Sequence, residues 1–250
     1  MQYRNLTTAA FLATAALAAA PALGQTVITG GHWDFETAYE DGTWDPHWHN
    51  HDTDTELELG DVVMTGVFDS TATGFLAGID SPTPRPGGSA WDFTGAAAGE
   101  DLFIFPASDP QPELPYLGNA AEEIASGVFV GNQITLEFEG IVSAPAGGDY
   151  SLYQNTTTGP RAYFSSVGDS STFADNTLQL NTGSHQHFNW AFTEVGTYQL
   201  AFNASGVLND GNNTFTESGT FVATFNIVPE PTSLGLLGAS GLALLGRRRR

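Results

Sequence analysis

The chain has 250 residues and no cysteine, with seven Lys and Arg against 28 Asp and Glu, a formal charge of −21. Neither a disulfide nor a thiolate ligand can form, so any metal must be held by His, Asp, Glu or water. So acidic a surface repels nucleic acid and anionic lipid, which excludes functions built on those partners.

At the start of the chain Arg4 precedes an apolar stretch, residues 9–20, that ends in Pro21-Ala22-Leu23-Gly24. A basic start, a short hydrophobic run and small residues at its end are the layout of a secretory signal peptide. Residues 1–24 are therefore read as a leader, cleaved before Gln25.

The next segment carries four of the six histidines, His32, His47, His49 and His51, within one short block. Asp41-Gly42 between two alternating segments is a strong hairpin signal. A two-residue loop there pairs His32 with His51, Asp34 with His49 and Glu36 with His47. Side chains alternate along a strand, so all six fall on one side of the ribbon, and Trp33, Phe35, Tyr39, Trp44 and Trp48 fall on the other. A slip of one residue would mix the faces. Pro46 has no N–H to donate, which predicts an edge or a bulge for the second strand. The acidic residues that follow, Asp52, Asp54, Glu56 and Glu58, read as a solvated strand edge and loop, with a weaker second cation site as the alternative.

Beyond the hairpin, Gly-, Thr-, Val- and Phe-rich segments with frequent turn signals predict strands at residues 62–68, 102–105, 133–142, 151–154, 188–192, 196–204 and 219–227. Residues 80–99, with Pro82, Pro84, Pro86 and Gly87-Gly88, read as an irregular loop. One helical turn is expected at 120–125. Ser184-His185-Gln186-His187-Phe188-Asn189-Trp190 holds the remaining histidines; if extended, His185 and His187 share a face while Phe188, Trp190 and Phe192 point into a core. Residues 196–200 read as the partner strand of that segment. Asn209-Asp210-Gly211-Asn212-Asn213 reads as a hairpin turn. The economical architecture is an all-β, antiparallel sandwich of immunoglobulin-like or jelly-roll type, spanning residues 25–228.

The chain ends in Val228-Pro229-Glu230-Pro231, an apolar run over residues 234–245, and Arg247 to Arg250. That run is too short for a relaxed bilayer span, which needs about 20 residues. Residues 229–250 resemble the PEP-CTERM sorting signal. The resemblance implies an exosortase as processing partner, a helix that touches the membrane only before processing, and a final place on the outer surface or in the extracellular matrix of a Gram-negative bacterium. Loss of both ends leaves Arg85 and Arg161 as the cations against every carboxylate but Glu230.

Histidines two residues apart on a strand put two imidazole nitrogens near one cation, and a thiol-free set suits Zn²⁺, with Cu²⁺ and Ni²⁺ next. The expected ligands are His32, His47, His49, His185 and His187. The alternative is that all are surface residues of acidic hairpins, held by neighbouring carboxylates. No base or nucleophile stands in a recognisable catalytic setting, so an enzyme, in the form of a metal-dependent hydrolase, is the weaker reading. An adhesion or matrix module with a metal staple is the other rival.

Gly31-His32-Trp33-Asp34, Tyr39-Glu40-Asp41-Gly42, His47-Trp48-His49, Leu102-Phe103-Ile104-Phe105-Pro106, Tyr116-Leu117-Gly118 and the run from His187 to Thr193 with Gly196-Thr197-Tyr198 resemble the choice-of-anchor M domain. Members of that family are exported with varied anchors, and some accompany metal-uptake transporters or zinc-responsive repressors. The resemblance implies zinc homeostasis outside the cytoplasm, with a transporter or extracellular polysaccharide as partner. It carries over best to His32, His49, His185 and His187, and it implies that His51, beyond the motif, is peripheral.

Overall fold

A computed structural model describes residues 24–69, 78–167 and 175–230. The expected leader, apart from Gly24, and the hydrophobic sorting helix lie outside the described residues.

The strands are β1 (Thr26–Ile28), β2 (His32–Glu40), β3 (Thr43–Asn50), β4 (Thr55–Glu58), β5 (Val62–Phe68), β6 (Thr83–Pro84), β7 (Asp101–Phe105), β8 (Tyr116–Ala120), β9 (Gln133–Ser143), β10 (Tyr150–Thr156), β11 (Gly159–Ser165), β12 (Thr177–Asn181), β13 (His185–His187), β14 (Asn189–Phe192), β15 (Gly196–Val207), β16 (Phe215–Glu217) and β17 (Phe221–Pro229). They form a seven-stranded sheet in the order β1-β5-β17-β15-β9-β12, with β16 paired to β15, and two five-stranded sheets, β11-β10-β14-β7-β6 and β13-β8-β2-β3-β4.

Period-2 alternation explains the layering. In β9 and β15 the inward positions are Ile134, Leu136 and Phe138, then Tyr198, Leu200, Phe202 and Ala204, with Ala201 also buried beside a register shift, and such faces are stable only when covered by another sheet. The seven-stranded sheet meets both smaller sheets across one continuous core. Phe202 meets Phe35 with ring centroids 5.0 Å apart, and Phe138 meets Tyr150 at 5.1 Å. The arrangement is the expected open β-sandwich.

Four details depart from the expectations. Three pairings are parallel, β1 with β5, β17 with β5 and β2 with β8; alternation reports which face is buried and is silent on strand direction. Residues 121–125 form turns after β8 where a helical turn was expected. The 80–99 loop includes β6 and a 3₁₀ helix, Ser89–Thr94. Finally, β14 and β15 lie in different sheets, because the chain at Glu194 passes between layers. Phe192 and Tyr198 consequently meet across the sandwich at 4.9 Å.

The histidine hairpin has the register its turn dictates. Asp41 and Gly42 have φ of 49° and 83°, the left-handed pair of a type I′ turn, and the ladder runs from Glu40↔Thr43 to Trp33↔Asn50 through Glu36↔His47 and Asp34↔His49. β3 is not an edge strand, since β4 covers His47 to Asn50. Pro46 is still accommodated. The His51 amide donates to the His32 carbonyl, and the alternation of antiparallel ladders then makes Thr37↔Pro46 a non-hydrogen-bonded pair. The nitrogen of Pro46 faces outward, just past the last β4 pair, where no donor is required.

Candidate metal centre

Two histidine-bearing segments distant in sequence meet because β8 lies between them. β2 pairs with β8 in parallel, Asp34 opposite Gly118 and Glu36 opposite Ala120. β13 pairs with the other edge of β8, His187 opposite Gly118 and His185 opposite Ala120. One sheet face thus carries, across its strands, His187, Gly118, Asp34, His49 and Glu56 in one row, and His185, Ala120, Glu36, His47 and Glu58 in the next. The middle strand supplies only small side chains at these positions. A Cβ on Gly118 would overlap the Asp34 carboxylate and come within 3.3 Å of Cε1 of His187.

Over that gap, ligand atoms of His32, Asp34, His51 and His185 all lie within 4.8 Å of one another. Asp34 is fully buried. Its Oδ2 accepts from His51 Nε2 at 2.7 Å and stands 3.7 Å from His185 Nδ1. Its Oδ1 is buried without a hydrogen-bond partner, and so is Nε2 of His32, 3.5 Å away. An unsatisfied buried polar atom costs about 1–3 kcal/mol, more when charged. Two ligands bound at about 2.0–2.2 Å around a tetrahedral ion stand about 3.3–3.6 Å apart. The Asp34–His32 gap is too long for a good hydrogen bond and right for sharing a cation.

The rings pack against each other: His32 lies 4.5 Å from His51 in a stack, 5.8 Å from His185 and 5.0 Å from His187. Burial lowers the pKa of His32 from its usual 6.5, Asp34 opposing and the rings of His51 and His185 reinforcing the shift. Burial lowers His187 as well, opposed by its bond to Leu117 and by Asp34 and reinforced by His32 and His185. Both are thereby favoured as neutral imidazoles, the form that ligates metal.

Of the five expected ligands, the structure brings His32 and His185 into this set. His187 stands against them as a packing ring: it stacks on Tyr116 with centroids 3.8 Å apart, and its Nδ1–H donates to the Leu117 carbonyl at 3.0 Å. His49 is one step along the ribbon, Nε2 3.3 Å from Asp54 and Nδ1 3.9 Å from Glu123. His47 belongs to a different group, with Glu56 and Glu123. His51, read as peripheral, sits in the middle of the first set. Its position opposite His32 was available from the hairpin register, so the signal was present.

Glu122 and Glu123 were missed. Glu122 accepts from His185 Nδ1 at 2.7 Å and lies 3.2 Å from His51 Nε2, while Glu123 lies 3.5 Å from His47 Nε2. They occupy the turn that follows β8, and no local pattern in the sequence ties that turn to the hairpin.

Residues 228–250 match the PEP-CTERM protein-sorting motif. No curated protein and no solved structure matches the chain. The motif is a substrate of exosortase and marks the protein for export and surface sorting in Gram-negative bacteria.

Proposed function

We propose that this surface-sorted protein binds Zn²⁺ outside the cytoplasm, through His32, Asp34, His51 and His185, and serves to buffer the metal there. The observation that carries the reading is the pair of buried, unpartnered atoms, His32 Nε2 and Asp34 Oδ1, facing each other at the separation of two ligands of one ion. Three imidazoles and one carboxylate are a donor set suited to Zn²⁺, with Cu²⁺ the competitor favoured by intrinsic affinity. Glu122 reaches His185 Nδ1 and His51 Nε2, the same nitrogens that face Asp34, and so adds a second carboxylate to the set. His187, propped between Tyr116 and the Leu117 carbonyl, holds the rings of His32 and His185 from the far side. The motifs that resemble the choice-of-anchor M domain, His47-Trp48-His49 and the run beginning at His187, adjoin this same face.

A buffer requires exchange. Both His51 and His185 are part-exposed, which leaves the set open to solvent from one side. The test is a Zn²⁺ titration of metal-stripped protein against a competing chelator. Sub-micromolar, chelator-reversible binding that falls at least tenfold in His51→Ala and in His185→Ala is expected. Metal released only on unfolding would turn the site into a structural staple, and no saturable binding would end the proposal.

A further inference from the structure

We infer that a second, oxygen-richer cation site stands beside the first, built by His47, Glu56 and Glu123, so that the loaded protein carries two divalent ions. This extends the reading above to another ion and uses none of the first site's four ligands.

Ligand atoms of the three residues lie within 4.8 Å of one another and come from separate parts of the fold: β3, β4 and the turn after β8. Carboxylates gathered at a surface would mean little alone. His47 changes that. It is only 4% exposed, and its Nδ1–H donates to the backbone carbonyl of Asp45 at 2.8 Å. With the proton committed there, Nε2 presents a lone pair, the tautomer in which metal-bound histidines are held. Nε2 is buried, has no hydrogen-bond partner, and is aimed at Oε1 of Glu123 at 3.5 Å. The spacing again matches two ligands on one ion. His49 adds an Nδ1 that is likewise buried and unpartnered, 3.9 Å from the same Glu123 oxygen. One imidazole with two carboxylates, and a second imidazole close by, make a borderline-hard donor set for a divalent transition metal.

The two sets are related by the hairpin register. Asp34↔His49 lies under the first and Glu36↔His47 under the second, one side-chain repeat apart, about 6.6 Å along the strands. Paired ions that share a bridging ligand sit about 3.5–4 Å apart, so this spacing gives two independently filled sites. Consecutive residues of one turn divide between them, Glu122 beside His51 and His185, Glu123 beside His47 and His49. Glu56 is exposed, so the second site must order a free side chain on loading and binds more weakly than the first.

The experiment is equilibrium dialysis of the purified full chain against Zn²⁺, with bound metal counted by elemental analysis. Wild type is expected to hold two equivalents in two affinity phases. Glu56→Gln/Glu123→Gln, which preserves shape, should lose the weaker phase and retain the tighter one within about twofold. His51→Ala/His185→Ala should show the reverse. A single equivalent in wild type that vanishes in His51→Ala/His185→Ala would overturn the second site and leave the first standing. Two equivalents persisting unchanged in Glu56→Gln/Glu123→Gln would also overturn it, and no bound metal in wild type would remove both readings.

Discussion

Glu36 is the residue on which the ligand face places the greatest electrostatic demand. It is fully buried opposite His47, its Oε1 accepts the Glu123 amide, and its Oε2 has no partner. Burial first, then the nearby charge of Glu123, pushes its pKa from 4.5 up to about 8. The folded state thus keeps a proton that the unfolded chain gives up. Between pH 4.5 and about 8 the native protein binds more protons, so this group's contribution to stability is full below pH 4.5 and is lost as pH rises through that window. A tenfold change in proton affinity is worth about 1.4 kcal/mol, so the effect amounts to a few kcal/mol. In metal-free protein, Glu36→Gln should therefore gain stability over wild type as pH rises from 5 to 8.5, read from urea midpoints. A gap between the two that stays constant across that range would refute the assignment. The lowered histidines act oppositely: His32 and His187 bind fewer protons folded than unfolded below pH 6.5, and stability from them falls as pH drops through that value.

At the scale of elements the decisive piece is β8, whose contribution is made by what it lacks. Tyr116, Gly118 and Ala120 share the ligand face, and two of the three are small, leaving space for side chains reaching in from β2 on one edge and β13 on the other. Gly118→Ala should drive the Asp34 carboxylate out of its position, at an overpacking cost of about 1–3 kcal/mol. Zinc affinity should fall at least tenfold, while Gln186→Ala on the same sheet leaves it unchanged; a chelator competition on both variants decides, and equal affinity in Gly118→Ala and wild type would count against the site.

β8 also marks the limit of what the sequence disclosed. The hairpin, its register and its two faces were legible because Asp41-Gly42 sets the turn and a period-2 pattern repeats on either side of it. His185 and His187 were recognisable as a second block for the same local reason. Small residues in a middle strand, however, broadcast no pattern. Parallel pairing of β2 with β8 is a long-range choice, and it alone determines that Glu122 and Glu123 fall beside the imidazoles. The break at Phe188, where β13 ends in one sheet and β14 begins in another, was likewise invisible, since alternation of Phe188, Trp190 and Phe192 continues through it.

For the whole molecule, zinc would join the β2–β3 hairpin to β13, segments far apart in the chain, and a ligand that binds only the folded state stabilises it by mass action. At a free concentration 100 times Kd the gain is about 2.7 kcal/mol per site. With about 2–4 °C per kcal/mol for a domain of this size, Tm should rise by about 5–10 °C on adding Zn²⁺ and return on adding EDTA. An unmoved melting curve at saturating metal would count against a metal site assembled by the fold. The two arginines of the described residues are engaged: Arg85 is paired with Asp92, and Arg161 lies over the ring of Tyr163 at 4.8 Å. Little remains to offset the negative field, so the association rate should drop as ionic strength rises.

The sorting motif begins at Val228, inside β17. That strand is flanked by β5 on one side and β15 on the other, and the Glu230 amide still donates to the Phe68 carbonyl at 2.8 Å. The sorting motif is thus continuous with an interior strand. Force applied along that strand's axis through the residues that follow would load both ladders in shear, so that many bonds share the load at once and none is unzipped singly.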